Sequence, residues 1–249
     1  MTRRTTVAPV AQKAVKAAGR TAQQQKKSSA VPQGNQPKAS APHKTTAKDT
    51  PPAHAPLPTG AGEVRIIGGQ WKRTRLPVAQ RPGLRPTPDR VRETLFNWLG
   101  QDLSGWRCLD AFAGTGALGL EAASRGAVSV LLVEQDAALV AQLFALCQRL
   151  AASAVTVRRG DGIAQLRQCA PASLDLAFID PPFGDSDLFM PALKAAAAAL
   201  SPQGFIYLEA DSAWSEVELQ PMGLVLHRHL RAGAVHAHLL RLAPKTVTL

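Results

Sequence analysis

Residues 107–119 have the sequence Arg-Cys-Leu-Asp-Ala-Phe-Ala-Gly-Thr-Gly-Ala-Leu-Gly, and this stretch decides the fold. Apolar residues lead to Asp110, glycines follow at positions 114, 116 and 119, and a helix-favouring run comes next. The pattern predicts a buried strand, a tight turn and a helix that begins inside the turn. Because glycines lack a Cβ, a ligand can approach the backbone of such a turn and the N–H groups at the start of the helix.

The three glycines match the spacing G-x-G-x-x-G, and an acid follows at Glu134, as in dinucleotide-binding proteins. This motif alone fits a nicotinamide cofactor or another cofactor that contains adenosine. Asp110 favours the second class, because a carboxylate at the strand end would repel a pyrophosphate and attract a cationic ligand. A later predicted strand ends at the sequence Asp180-Pro181-Pro182-Phe183.

Strands and helices are predicted to alternate over the rest of the chain. We expect strands near 107–111, 129–134, 154–159, 174–180 and 204–209, and helices near 117–125, 137–150, 162–168 and 188–200. Two final strands, near 223–231 and 234–242, follow without a helix between them. The sequence therefore predicts an α/β fold with a seven-stranded, mostly parallel sheet and an antiparallel terminal hairpin.

Four acids fall at or just past the ends of predicted strands, namely Asp110, Glu134, Asp161 and Asp180. Ligands of such sheets bind beyond the carboxyl ends of the strands, so we expect the four carboxylates to meet at one rim. Glu134 is placed to accept hydrogen bonds from the two hydroxyls of a ribose, and capping of the next helix is its alternative role. For Asp136 we expect the capping role.

Asp110-x-Phe112-x-Gly114-x-Gly116, together with the sequence at 180–183, resembles the motifs of S-adenosylmethionine-dependent N-methyltransferases. A closer resemblance comes from two further blocks, residues 65–71 and 84–99. These blocks are similar to those of the bacterial 16S rRNA guanine-N2 methyltransferases, the RsmD family. The resemblance runs from about residue 63 to the C-terminus, with the blocks in the order and spacing of the family.

The resemblance implies a Rossmann-like class I methyltransferase fold, S-adenosylmethionine as cofactor, and guanine 966 of small-subunit rRNA as the target, within an assembled or nearly assembled 30S particle. The residues implied to bind the cofactor are Asp110, Phe112, Gly114, Gly116, Glu134, Asp161, Gly162 and Asp180. Asp110 would lie near the amino and sulfonium groups. Asp161 would meet the adenine amino group, and capping of the following helix is its alternative role.

The resemblance also implies that the catalytic residues are Asp180, Pro181, Pro182 and Phe183. The two prolines fix φ and remove N–H donors, so Asp180 and the carbonyl groups after it form a rigid set of acceptors. Acceptors around an exocyclic amine favour its attack on a methyl carbon, and guanine presents N1–H and N2–H donors to one carboxylate. Phe183 would stack on an unpaired base. The alternatives are an enzyme that methylates adenine or a protein amide, a non-catalytic RNA-binding assembly factor, and a nicotinamide dehydrogenase.

Residues 64–67 and 72–78 are predicted to form a hairpin, and Thr87 to cap a helix that has Pro88 at its first position. This region is either a solvated hairpin and helix or, as the resemblance favours, an RNA-binding surface. The residues predicted to contact RNA are Arg65, Trp71, Lys72, Arg73, Arg75, Arg85, Arg90 and Arg92. For Arg92, a role as a surface arginine of the helix is the alternative.

The positive charge lies at the front of the chain. The formal net charge is +11, with +9 in residues 1–62, +6 in residues 63–92 and −4 in the remainder. Residues 1–62 are predicted to be a disordered basic tail, either a solvated extension or an arm that attracts RNA, with a transit peptide as the least favoured interpretation. Residues 63–100 would be the RNA-binding hairpin and capping helix, and residues 101–249 the methyltransferase domain.

Metal binding and membrane insertion are not expected. Histidines 227, 229, 236 and 238 alternate along the last two predicted strands, but no Cys or carboxylate completes a ligand set. Cys108, Cys147 and Cys169 show no C-x-x-C pairing, so we expect reduced core residues of a cytoplasmic protein. Apolar runs stay far below the roughly 20 residues that span a bilayer. We expect the protein to be a monomer.

Overall fold

A computed structural model of the protein describes residues 63–78, 87–182 and 184–244. The predictions for the tail at 1–62, for Arg85 and for Phe183 lie outside these described residues.

Strands and helices alternate along the described chain almost as the sequence predicts. In chain order they are β1 (Glu63–Arg65), β2 (Arg75–Pro77), α1 (Asp89–Leu99), β3 (Arg107–Asp110), α2 (Ala117–Ser124), β4 (Ser129–Glu134), α3 (Ala137–Arg149), β5 (Val155–Arg159), α4 (Gly162–Gln168), β6 (Leu174–Ile179), α5 (Phe189–Ala199), β7 (Leu200–Ala210), α6 (Glu216–Leu219), β8 (Leu224–Ala232) and β9 (Val235–Leu242). The bounds of β4 and α4 are those predicted. The short helix α6 was not predicted.

The sheet has the predicted topology. Its strand order is β5-β4-β3-β6-β7-β9-β8, and β1 pairs with β2 in a separate antiparallel hairpin. Neighbouring strands from β5 to β7 are parallel, whereas β9 runs antiparallel to both β7 and β8. The chain moves outward from β3 to β4 on one side and returns to β6 on the other. The carboxyl ends of β3 and β6 therefore border the crevice in which ligands of such sheets bind.

Alternate residues of the central strands face opposite layers of the core. On β6, Leu176 and Phe178 pack with side chains from the β1–β2 hairpin, α1, α2 and α3. Ala177 and Ile179 pack with side chains from α4, α5 and α6. The hairpin and α1 thus share a hydrophobic core with the sheet, on the same face as α2 and α3.

Two predictions for the N-terminal region are wrong. The second strand of the hairpin begins at Arg75 rather than Lys72, because residues 70–73 form the turn and Arg73 has a φ of 71°. Thr87 does not cap α1, since Pro88 occupies the capping position and no described side chain supplies a capping hydrogen bond. The Thr87 hydroxyl instead donates to Oδ2 of Asp180 at 3.3 Å.

The hairpin turn is fastened to α2 by close backbone contact. Gly69 has a φ of 71°, and a Cβ at this position would overlap the carbonyl oxygen of Ser124. The N–H of Gln70 donates to that same carbonyl at 2.8 Å. Glycine is therefore required here both by its left-handed conformation and by the lack of space.

Candidate active site

The turn between β3 and α2 contains two glycines in the left-handed region. Gly114 has a φ of 52° and Gly116 a φ of 78°, conformations that favour glycine. A Cβ on Gly116 would also lie 2.6 Å from Cδ2 of Leu143, and one on Gly119 would overlap Cδ2 of Leu132. The first two glycines thus form the turn, and the third lets α2 pack closely on β4.

Asp110 is buried at the carboxyl end of β3, with 1% of its surface exposed. Its Oδ2 accepts a hydrogen bond from the N–H of Gly119 at 3.1 Å. Its Oδ1 is buried and accepts no hydrogen bond of normal geometry within the described residues. Burial raises the pKa of Asp110 to about 7, although the backbone N–H groups of Gly119 and Phe112 oppose this shift. An unpaired, buried carboxylate oxygen is a position where a donor or cationic ligand would be favourable.

Glu134 is held in one orientation at the end of β4. Its Oε2 accepts from the N–H of Gly114 at 2.9 Å, and its Oε1 accepts from the N–H of Asp136 at 2.8 Å. The side chain remains partly exposed, so its other lone pairs face the solvent side of the turn. Glu134 also contributes to the raised pKa of Asp110, which places the two carboxylates in one electrostatic neighbourhood.

The residues after β5 have clear local roles. Oδ1 of Asp161 accepts from the N–H groups of Ile163 at 2.8 Å and Ala164 at 3.1 Å, so Asp161 caps α4. A Cβ on Gly162 would overlap the carbonyl oxygen of Ala111, which explains the glycine by close packing. The predicted cap at Asp136 is likewise confirmed, on α3.

Asp180 directly follows β6 and lines a small open cleft. The cleft is lined by Asp180, Pro181, Pro182, Gly184, Ser186, Phe189, Glu209, Ala210 and Asp211. Burial raises the pKa of Asp180 well above its usual range, and the negative charges of Glu209 and Asp110 raise it further. Asp110 lies on the neighbouring strand, where it pairs with Phe178, two residues before Asp180. Among the described residues that line this cleft, Asp110 and Glu134 do not occur. Phe112 is half-buried and packs against the core layer formed by α4 and α5.

Glu209 is a carboxylate of this cleft that sequence reasoning missed. It lies near the end of β7, is 5% exposed, and accepts a hydrogen bond from the Tyr207 hydroxyl at 2.9 Å. The signal was present in the sequence, because Glu209 ends a predicted strand in the same way as Asp110, Glu134 and Asp180.

The predicted RNA contacts divide into exposed and buried residues. Arg65, Lys72, Arg73, Arg75 and Arg90 are exposed on the hairpin and at the start of α1. Arg65 lies 3.9 Å from the carboxylate of Asp89. Trp71 is half-buried, and its ring packs against the core. Trp71 is therefore anchored to the domain rather than projecting from the tip of the hairpin.

The prediction that Arg92 contacts RNA, or lies on the surface, is wrong. Arg92 is fully buried, and its guanidinium donates to the backbone carbonyl of Arg65 at 2.9 Å and to Oδ1 of Asp89 at 2.6 Å. It also lies 3.5 Å from Oε2 of the buried Glu121. Arg92 ties the hairpin, α1 and α2 together, a role that its position in the sequence does not indicate.

Over residues 63–78, 87–182 and 184–244, no group of three or more His, Cys, Asp or Glu side chains could hold a metal ion. The rings of His229 and His238 stack at 4.7 Å between centroids. None of the helices in these ranges has the length and apolar character needed to cross a bilayer.

Comparison with known proteins identifies the family. The family model described as Conserved hypothetical protein 95 matches residues 64–241. Ribosomal RNA small subunit methyltransferase D of Escherichia coli K12 is 43% identical over 181 residues, which cover 72% of this chain and 90% of the relative. The chain belongs to this methyltransferase D family. Its Haemophilus influenzae member is 38% identical over 69% of this chain and 95% of its own length.

Solved structures agree with the family assignment. The E. coli protein yhhF, described as a methyltransferase, superimposes with a TM-score of 0.62 at 37% identity, covering 73% of this chain and 99% of its own. A precorrin methyltransferase from Geobacter metallireducens, at 15% identity and a TM-score of 0.52, shares the fold. The predicted family and the predicted class I methyltransferase fold are therefore confirmed.

Proposed function

We propose that this protein transfers a methyl group from S-adenosylmethionine to the N2 amine of a guanine, guanine 966, in the 16S rRNA of the small ribosomal subunit. Family membership supports this, because the relatives described above are named ribosomal RNA small subunit methyltransferases. The observation that carries the proposal is the position of Asp180. Its carboxylate lines a cleft with Pro181 and Pro182, beside the buried Asp110 at the end of the central strand.

The turn after β3 has groups that fit S-adenosylmethionine. The unpaired Oδ1 of Asp110 would accept from the amino group or lie near the positive sulfonium. Glu134, oriented by two backbone N–H groups, would accept from the ribose hydroxyls, and the Gly114–Gly116 turn would let the ligand approach the backbone. We assign Phe112, Asp161 and Gly162 to the adenosine end. When bound, the cofactor supplies an electrophilic methyl group.

Asp180 would orient the amine for attack. As the nitrogen forms its bond to the methyl carbon and the carbon–sulfur bond breaks, the nitrogen loses conjugation with the ring and its N–H groups become more acidic. Acceptors fixed around these N–H groups stabilise that geometry more than the planar ground state. The amine proton then passes to the carboxylate of Asp180, or from there to water. We assign Phe183 to stacking on the target base.

The exposed cations of the hairpin and α1 would bind the phosphates of the rRNA. Arg65, Lys72, Arg73, Arg75 and Arg90 meet the requirement for such contacts, which position a protein on RNA without reading its sequence. The hairpin packs in the same core layer as α1 and α2, and we assign its exposed cations to the face that the rRNA covers. We propose an assembled or nearly assembled small subunit as the substrate and a cytoplasmic monomer as the active form.

The test is methyl transfer from tritiated S-adenosylmethionine to three substrates assayed side by side, namely small subunits lacking the modification, free 16S rRNA and DNA. We expect labelling of the rRNA and, by mass spectrometry of its nucleosides, a single N2-methylguanosine. Methyladenosine, or labelling of DNA alone, would overturn the proposal.

The matched variant for this assay is Asp180→Ala. It should bind S-adenosylmethionine nearly as well as the wild type in calorimetry, since Asp110 and Glu134 are intact, but lose at least about 100-fold in transfer rate. Transfer at the wild-type rate by this variant would refute the role of Asp180.

A further inference from the structure

A second carboxyl group lies beside Asp180 in the proposed catalytic cleft. Glu209 comes from β7, the strand next to β6, and its side chain lines the same cleft as Asp180, Pro181 and Pro182. The two acids affect each other strongly, because the charge of Glu209 is the largest electrostatic contribution to the raised pKa of Asp180 after burial. Two neighbouring carboxylates that line one cleft ionise together only at an electrostatic cost, because each negative charge opposes the other.

The strand register sets the two carboxyl groups side by side. Ile179 pairs with Leu208 on the parallel strands β6 and β7, and Asp180 and Glu209 are the residues that follow this pair. Thr87 lies at the same place, since its hydroxyl donates to Oδ2 of Asp180 at 3.3 Å and opposes the rise that burial causes in the pKa of Glu209. Neighbouring carboxyl groups in this arrangement can share a single proton.

Among the described residues, the side chains that influence the pair supply little positive charge to balance two ionised carboxylates. Glu209 faces the hydroxyl of Tyr207, whose own pKa is raised well above its usual value by burial and by Glu209. From β3, Asp110 adds a further negative charge near Asp180. The buried cation from α1, Arg92, lowers the pKa of Tyr207 but is paired with Asp89 and Glu121. At the edge of the cleft, Asp211 is exposed and its charge is screened by solvent.

We propose that Glu209 is a positioning residue for methyl transfer, which shares a single proton with Asp180 until guanine enters the cleft. This inference rests on the proposed function and deepens it. Guanine brings N1–H and N2–H donors, which replace the shared proton, and that proton leaves to solvent as the base binds. The proton lost by the amine during methyl transfer then returns to the carboxyl pair. The cycle closes with one proton released per methyl group transferred.

The first test is the pH dependence of methyl transfer to small subunits under single-turnover conditions. In the wild type, the rate should fall at acidic pH as the pair becomes unable to release its proton. Glu209→Gln removes the neighbouring negative charge, which lowers the pKa of Asp180. In this variant, the pH at which the methyl-transfer rate falls on the acidic side (the acidic limb of the pH–rate profile) should therefore be lower by about one unit or more. This shift is expected whether or not the maximal rate changes.

The matched control is Asp211→Asn, which removes an exposed carboxylate from the rim of the same cleft and should leave the acidic limb in place. An acidic limb at the wild-type pH in Glu209→Gln would overturn the proposal. A merely structural role of Glu209 would reduce the rate without moving this limb.

The second test does not depend on activity. Carboxyl groups of the full-length protein, labelled with ¹³C, are titrated by NMR in the wild type, in Glu209→Gln and in Asp180→Asn. We expect a wild-type titration step above the usual carboxyl range that moves down when either partner is replaced. Titration of Asp180 in the ordinary range in the wild type would overturn the proposal. If the coupled titration is present but small subunits are not methylated, the proposed function fails and the carboxyl pair stands.

Discussion

Glu121, in α2, accepts a hydrogen bond from the backbone N–H of Gly68 in the hairpin turn at 2.7 Å. Its other carboxylate oxygen accepts from the N–H of Ile67, also at 2.7 Å. The fully buried carboxylate pairs in addition with Arg125 at 2.7 Å and with Arg92 at 3.5 Å. One acid thus satisfies two backbone donors of the hairpin and two buried cations. This network fixes the basic hairpin to α1 and α2.

We predict that Glu121→Gln is strongly destabilising. The substitution leaves the buried Arg125 without its counter-charge and Arg92 with only that of the partly exposed Asp89. Breaking a buried ion pair on one side costs roughly 3–5 kcal/mol. Urea unfolding followed by circular dichroism measures the change in the free energy of unfolding. Glu93→Gln, at an exposed position of α1, is the control and should change it by less than about 0.5 kcal/mol. A similar small loss for Glu121→Gln would show that the network contributes little.

Gly69→Ala tests the close contact between the hairpin and α2. Alanine at a φ of 71° is strained, and its Cβ would in addition displace the carbonyl of Ser124. The control is Gly233→Ala, which has a φ of 68° and open space around the added Cβ. We expect the control to cost about 1–2 kcal/mol for the conformation alone and Gly69→Ala clearly more. Equal losses in thermal unfolding would mean that the turn moves away from α2 at little cost.

Asp110 makes the stability of the protein without cofactor depend on pH. Its folded-state pKa of about 7 is above the value of 3.8 for an unperturbed Asp, so the folded state binds the proton more tightly. This favourable contribution is complete below about pH 4 and is lost as the pH rises through 7. Asp110→Asn, which keeps an acceptor for the Gly119 N–H, should therefore be the more stable protein at pH 8, by up to about 4 kcal/mol.

Thermal unfolding of both proteins at pH 5 and pH 8 checks this prediction. The advantage of Asp110→Asn should shrink at pH 5, and the variant should bind S-adenosylmethionine more weakly in calorimetry. A variant that is less stable than the wild type at pH 8 would contradict the assignment. Asp211→Asn, at an exposed carboxylate, should show no such difference between the two pH values.

The cations of the hairpin turn should contribute to RNA binding in a salt-dependent way. Lys72→Gln and Arg73→Gln should each weaken binding to small subunits and reduce the slope of log K against log salt concentration by about 1. Filter binding between 50 and 200 mM salt, in the range where such slopes are usually measured, gives this slope. Lys194→Gln, at an exposed position of α5 in the opposite layer, is the control. Identical slopes in all four proteins would place the RNA elsewhere.

The local sequence predicted most of the sheet and part of the site. Apolar runs ending in an acid predicted β3, β4 and β6, and the glycine spacing predicted the turn before α2. These patterns can be recognised because both structures restrict the residue types at consecutive positions. A strand buried on both faces requires apolar residues, and a turn with positive φ favours glycine. The same reasoning found Asp110, Glu134 and Asp180.

The sequence by itself therefore determined the family, the order of strands and helices, and the acids at the ends of the strands. The tertiary structure decided what Thr87, Arg92 and Glu209 do. Thr87 contacts an acid 93 positions away, Arg92 is enclosed by the hairpin and α2, and Glu209 shares a cleft with Asp180. Such contacts depend on how separate helices and strands pack together. The spacing of the residues along the chain does not predict which of them will meet.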